Sequence, residues 1–120
     1  MSAAGMDKRQ LSRRSLYYYL KVLDRDTGME IGRLVDIHIA GLLLISDHKL
    51  ESGQQINISV PIGDEALDAG PRSLEVKAQV RWSKQDVNPD YYVSGLQFDN
   101  ITSKQETLIN RLIRTIGFNQ

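Results

Sequence analysis

Between Leu74 and Trp82 the chain alternates strictly between apolar and polar residues, and this alternation constrains the fold more than any other feature. The apolar positions are Leu74, Val76, Ala78, Val80 and Trp82. Successive side chains of a β-strand point to opposite faces, so a period of two predicts a strand with one buried face. Trp82 continues the apolar face, and we expect its indole to be buried in the core.

Five more segments have the composition of strands: residues 16–23, 29–39, 42–46, 55–61 and 91–98. They are rich in β-branched and aromatic residues, and turn-forming sequences separate them, among them Asp24–Gly28 and Glu51–Gly53. Gly63–Arg72 is predicted to be a polar loop. The chain is therefore expected to consist mainly of short antiparallel strands.

The strand predicted at residues 29–39 has two distinguishable faces. One face carries Ile31, Val35, Ile37 and Ile39, and the other carries Gly32, Leu34, Asp36 and His38. We expect the isoleucines to face the core. Asp36 and His38 are then expected to point outward together.

A helical pattern follows the strands. Apolar residues recur at helical spacing: Leu108, Ile109, Leu112, Ile113 and Ile116. Ser103 to Glu106 matches a capping box and Gly117 ends the pattern, so we expect a helix over about residues 104–116. Six short strands and this helix predict one all-β domain over residues 16–117, a six-stranded antiparallel β-barrel with one C-terminal helix.

The composition limits the classes of function. The 120 residues include 15 basic and 15 acidic side chains and no cysteine, so the formal net charge is zero. Neutral charge argues against a broad nucleic-acid footprint, and the lack of cysteine excludes disulfides and thiolate metal sites. The sequence shows neither an apolar run of the roughly 20 residues that span a membrane nor a secretion signal. We therefore expect a cytoplasmic protein that binds no DNA and inserts into no membrane.

The sequence contains no recognisable catalytic motif. It lacks an H-E-x-x-H pattern, a P-loop and a glycine-rich dinucleotide turn. Asp36 and His38 could be taken for a dyad, but no nucleophile with an orienting third group lies nearby. Neither His38 nor His48 has a second histidine or a cysteine at ligand spacing. We expect a non-catalytic module that needs no metal or cofactor.

Two short motifs point to ligand binding instead. Residues 1–15 are polar and have little apolar surface to bury, which predicts a flexible basic arm. Within this arm Arg9 and Arg13 form an R-x-x-x-R pattern. Beyond the first predicted hairpin, Asp36 to Gly41 reads D-x-H-x-x-G. The pair describes a basic arm and a carboxylate presented on a strand.

The two motifs, the closing strand Tyr92–Phe98 and the trailing helix together resemble the PilZ domain family, from about Lys8 to Ile116. PilZ domains are bacterial sensors of the second messenger cyclic di-GMP. The resemblance therefore implies a β-barrel receptor for this nucleotide. It matches four residues to the ligand-binding motifs of the family, namely Arg9, Arg13, Asp36 and Gly41.

The chemistry of these residues suits such a ligand. Arginine presents a planar fork of donors that fits phosphate oxygens or the O6/N7 edge of guanine. An ionised Asp36 only accepts hydrogen bonds, and it can receive the N–H groups of a guanine edge. The resemblance adds weaker ligand-binding candidates, which are Lys8, Arg14 and Trp82.

His38 stands where the family usually has serine. If the imidazole crowds the pocket, His38→Ser should tighten binding, and if it contacts a phosphate, the same change should weaken binding. We expect crowding, because serine is the usual residue.

The resemblance further implies an adaptor. Ligand binding would order the arm and alter contact with an unidentified protein partner in motility, pilus or biofilm control, with the domain a monomer or a weak dimer. The alternative is a PilZ-like module that binds no nucleotide and acts only through protein partners. An RNA-binding barrel is disfavoured by the neutral charge and by the lack of an evident aromatic platform.

Overall fold

The computed structural model describes residues 20–62 and 73–116. The predicted basic arm at residues 1–15, the loop Gly63–Arg72 and Gly117 lie outside these residues. So does most of the first predicted strand, whose described part begins at Leu20.

The described chain forms a closed antiparallel β-barrel of six strands. They are β1 (Lys21–Asp24), β2 (Glu30–His38), β3 (Gly41–Ser46), β4 (Gln55–Pro61), β5 (Ser73–Gln85) and β6 (Tyr92–Phe98). Around the barrel they follow the order β1-β2-β3-β6-β5-β4, and β1 pairs with β4 to close it. The prediction of a six-stranded antiparallel barrel with a C-terminal helix is confirmed.

The interior is apolar and the helix α1 (Ser103–Ile116) closes part of it. Fully buried side chains come from the strands and from the helix: Val22, Leu34, Ile37, Leu44, Ile58, Val60, Leu74, Val80, Ile109 and Leu112. The helix packs against β2 and β5. Within residues 20–62 and 73–116, no helix combines the length and the apolar composition needed to cross a membrane.

The capping box of α1 lies one residue earlier than the sequence pattern suggested. The Gln105 amide donates to Thr102 Oγ1 at 3.1 Å, and the Thr102 amide donates to Gln105 Oε1 at 2.7 Å. The cap is therefore Thr102 with Gln105, and the prediction of Ser103 with Glu106 was wrong. Thr102 also provides the first helical acceptor, because its carbonyl receives the Glu106 amide. Gln105 Nε2 donates to the Glu75 carbonyl, which ties the helix to β5.

A β-bulge in β2 corrects the predicted face of that strand. The pairing with β3 shifts register between Leu34 and Asp36, so Val35 is the extra residue. Before the bulge the inward residues are Gly32 and Leu34, not isoleucines. Beyond it the inward residue is Ile37, because one extra residue exchanges the two faces.

Three of the four side chains that we expected in the core of β2 are not buried there. Ile31 and Val35 are only half-buried, and Ile39 lies in the tight β2–β3 turn and is 40% exposed. Asp36 and His38 share the outward face, as the sequence predicted.

A second bulge, in β5, corrects the prediction for Trp82. Register with β6 shifts between Val80 and Trp82, so Arg81 is the extra residue. The inward alternation of β5 ends at Val80, and Trp82 turns outward with 39% of its surface exposed. The expectation that Trp82 is buried in the core was wrong. The strand also continues past Trp82 to Gln85.

We expect Thr102→Ala to lower the free energy of unfolding by about 1 kcal/mol, because the N-cap hydrogen bond to the helix is lost. Ser103→Ala is the matched control and should change it by a few tenths of a kcal/mol at most, as Ser103 is the first helical residue. Urea unfolding followed by circular dichroism measures both. A larger loss from Ser103→Ala would contradict the assignment of the cap.

Candidate functional site

The two bulges lie on either side of the same pair of strands. Four residues on neighbouring strands form one row across the barrel wall. Asp36 of β2 pairs with Leu43 of β3, and Leu43 pairs with Gly95 of β6. Gly95 in turn pairs with Trp82 of β5. Each bulge turns its rim residue outward, Asp36 on one side and Trp82 on the other. Leu43 and Gly95 are the residues of this row that lie between the two side chains.

This row forms the centre of an open groove of about 360 Å³ on the outer surface of the barrel. The side chains and backbone that line it are Asp36, His38, Ala40, Gly41, Leu42, Leu43, Arg81, Trp82, Gly95, Leu96 and Gln97. The groove brings together four of the residues that the sequence singled out: Asp36, His38, Gly41 and Trp82. The other four, Lys8, Arg9, Arg13 and Arg14, lie outside the described residues.

Asp36 presents its carboxylate from a half-buried position at the β2 rim. Its Oδ1 accepts the hydrogen bond of the Ile37 amide at 2.8 Å, which fixes the orientation of the carboxylate. Among the residues that the structure describes, no donor reaches Oδ2. Since an ionised carboxylate only accepts, Asp36 can receive an N–H group of a ligand in the groove.

His38 caps the hairpin between β2 and β3. The Ala40 amide donates to Nδ1 of the imidazole at 3.3 Å. Because the amide can only donate, Nδ1 is the acceptor, and a neutral ring carries its proton on Nε2. A serine hydroxyl at this position could accept the same amide two residues on, as in an ST-turn. His38 therefore fulfils the local role of a serine but adds the bulk of a ring at the groove.

Gly41 is required by a close approach of two backbones. It begins β3 opposite Gln97, and a Cβ at this position would lie 2.1 Å from the Leu96 carbonyl oxygen. The Ile39–Ala40 turn precedes Gly41, so the glycine is part of the strand and not of the turn. Its φ is not among the positive values of the described chain. The glycine is needed for space between β3 and β6.

Trp82 and Arg81 form the β5 rim of the groove. The Lys84 ammonium lies 5.2 Å from the centroid of the Trp82 ring, within the range of a cation–π contact. Arg81 Nη1 donates to Gln79 Oε1 at 3.2 Å. Sequence reasoning did not assign Arg81 or Gly95 to the site. The bulge at Arg81 leaves no mark on the alternation of β5, and Gly95 comes to the groove only through its pairing with Trp82.

The titratable groups that come together elsewhere do not suggest a metal site. Over residues 20–62 and 73–116, no three histidine, aspartate or glutamate side chains converge as they would around a metal ion. His48 lies beside Asp47 instead, with Nδ1 at 3.0 Å from Oδ1. This hydrogen bond lowers the pKa of the Asp47 carboxyl. Neither residue lines the groove.

The sequence model of the PilZ domain family matches residues 7–115, nearly the whole chain. The chain belongs to the PilZ domain family. No curated protein matches it significantly. The family assignment therefore agrees with the resemblance noted in the sequence and with the closed barrel.

Solved structures of PilZ proteins share the fold of this PilZ domain. The PilZ domain of YcgR from Escherichia coli with c-di-GMP superposes with a TM-score of 0.62 at 16% identity, over 82% of this chain and 81% of that one. YcgR from Escherichia coli in complex with c-di-GMP gives 0.61 at 17% identity, over 82% and 41%. MotI, an inhibitor of motility from Bacillus subtilis, gives 0.57 at 18% identity, over 85% and 48%. The chain thus spans less than half the length of those last two proteins.

Trp82→Ala should cost far less stability than truncating a buried aromatic residue, because the bulge holds the indole outside the core. Phe98→Ala is the control, since Phe98 is only 7% exposed and should lose about 3–5 kcal/mol. Denaturant unfolding of both variants gives the comparison. Equal losses would show that Trp82 is part of the core and that the register shift is wrong.

Proposed function

We propose that this PilZ domain is a non-catalytic receptor for cyclic di-GMP. The observation that carries the proposal is that Asp36 and Trp82 flank one open groove, with His38 at its end. The E. coli YcgR domain is a PilZ relative of the same fold whose structure contains c-di-GMP. The groove supplies what a guanine and a phosphate need, a hydrogen-bond acceptor, an aromatic surface and a cation.

Each side of the groove suits a different part of the nucleotide. Asp36 Oδ2 would accept from the N–H groups of a guanine edge, for which adenine has no matching donors. The exposed surface of Trp82 would stack on the base, a contact available to any π-face. Arg81 at the same rim would attract a phosphate, and Arg9 and Arg13 would add the planar donor forks typical of phosphate or guanine recognition.

We further infer that the ligand acts by ordering the N-terminal arm. Cyclic di-GMP held between Arg9, Arg13 and the groove would bring residues 5–15 across the barrel and create a new surface for a protein partner. MotI is an inhibitor of motility, which makes motility control one pathway for such a partner, alongside pilus and biofilm control. Hydrogen exchange of residues 5–15 with and without ligand tests this step, and equal exchange in both states would exclude it.

Asp36→Ala and Arg13→Ala should each weaken cyclic di-GMP binding by about ten- to a hundredfold, because each removes a charged hydrogen-bonding partner worth about 1.5–3 kcal/mol. Isothermal titration calorimetry measures the affinity, with cyclic di-AMP and GTP as ligand controls. Asp90→Ala and Arg114→Ala are matched variants at exposed positions away from the groove, and both should bind like the wild type.

Absence of binding by the wild-type protein at millimolar cyclic di-GMP would overturn the proposal. That result would favour the alternative, a PilZ module that acts through protein partners without nucleotide. Equal losses from Asp36→Ala and Arg13→Ala and from their matched controls would also contradict the assigned site.

His38→Ser should tighten cyclic di-GMP binding. Serine can keep the hydrogen bond to the Ala40 amide while removing the ring from the groove, and relief of about 1 kcal/mol of crowding corresponds to roughly a fivefold gain. Calorimetry on the wild type and on His38→Ser gives the ratio of affinities.

His38→Ala separates the two roles of the side chain. It removes the ring and the hairpin hydrogen bond together, so it should lose stability that His38→Ser keeps. A weaker affinity of His38→Ser would show that the imidazole contacts the ligand.

A further inference from the structure

Trp82 lies directly over the bare backbone of Gly95. A Cβ built on Gly95 would be 2.6 Å from Nε1, 2.6 Å from Cε2 and 2.8 Å from Cζ2 of the indole. Real Cβ atoms do not approach other atoms so closely, so no residue except glycine fits beneath the ring where it now lies. The two residues are direct partners in the β5–β6 register.

The backbone next to this contact is fixed from the barrel interior. Ser83 and Ser94, the next residues along β5 and β6, are also paired, and Ser94 Oγ donates to Ser83 Oγ at 2.8 Å. Ser94 is fully buried, and Ser83 Oγ also accepts the Leu50 amide at 3.1 Å. Both strands are therefore held together at the level of the ring.

The ring of Trp82 has a second neighbour. The Lys84 ammonium lies 5.2 Å from the ring centroid. An indole that is 39% exposed is thus supported by a glycine on β6 and by a cation on its own strand. Such support holds an aromatic surface in place before a ligand arrives, which lowers the entropy cost of binding.

We propose that Gly95 is a positioning residue for ligand binding. Because it has no side chain, the Trp82 ring can lie against its backbone and keep its position in the groove. This inference rests on the proposed function, because the Trp82 ring in this position is the surface on which the nucleotide base would stack. Gly95 itself does not contact the base. Any side chain at position 95 would displace the ring from the row that joins it to Leu43 and Asp36.

The test uses Gly95→Ala and two readouts. Trp82 is the single tryptophan of the chain, so the indole N–H resonance and the tryptophan emission report on it alone. In Gly95→Ala the free protein should show a shifted indole resonance, and affinity for cyclic di-GMP should fall about tenfold, as expected for one lost base–aromatic stack. An unchanged resonance with unchanged affinity would overturn the proposal.

Gly32→Ala is the matched control. Gly32 is also a buried glycine of the barrel wall, where a Cβ would lie 2.7 Å from the Ile45 carbonyl oxygen and 2.8 Å from Leu44 Cδ1. It does not line the groove. The variant should lose stability but keep the indole resonance and the affinity of its folded fraction. An equal loss of affinity in Gly32→Ala would mean that general distortion of the barrel explains both variants.

The double variant Trp82→Ala/Gly95→Ala isolates the contact. With the ring removed, alanine at position 95 has nothing to displace, so the double variant should bind like Trp82→Ala alone. If Gly95→Ala fails to fold, the double variant should fold. If it also fails to fold, the proposed role of Gly95 in positioning Trp82 is contradicted. Lack of nucleotide binding by the wild type would overturn the proposed function, whereas wild-type binding that Gly95→Ala retains would overturn this inference alone.

Discussion

The groove depends on two register shifts that face each other across the β3–β6 pair. An extra residue in β2 and another in β5 exchange the inward and outward faces of both strands within one level of the barrel. Without them Asp36 would share the inward face of Leu34, and Trp82 would share that of Val80. Both bulges are needed together, because either one alone would leave one rim of the groove without its side chain. Because of the same shifts, Ile37 and Ser83 point inward in place of Asp36 and Trp82.

Two glycines on neighbouring strands line the groove, and each is required for a different reason. Gly41 has no room for a side chain because the backbone of β6 approaches it, whereas Gly95 has none because a ring from β5 covers it. The first is a constraint of barrel packing and would apply with or without a ligand. The second constrains only the position of one exposed side chain. A sequence shows both simply as glycine, and the neighbouring atoms distinguish them.

Local patterns predicted the elements well and the faces less well. Alternation identified β4 with its bounds, and helical spacing identified α1, since these signals depend on which residues meet the core. The predicted face of β2 was wrong before the bulge at Val35, and that of β5 was wrong after the bulge at Arg81. Pairing with the neighbouring strand decides where a bulge forms, and a single strand's sequence does not show it. The helix start was wrong by one residue because T-S-K-Q and S-K-Q-E both match a capping box. Asp36 and His38 were found through their motif, but Gly95 needed the fold.

His38 shows why membership of the family does not fix the affinity for a ligand. Its Nδ1 accepts the Ala40 amide at the hairpin, a hydrogen bond that a serine hydroxyl could also accept. The added ring lies at the groove, beside the carboxylate that would read a guanine edge. A substitution that keeps the hairpin hydrogen bond can thus still change the affinity for a ligand, because the hairpin uses only Nδ1 of the imidazole and His38 lines the groove.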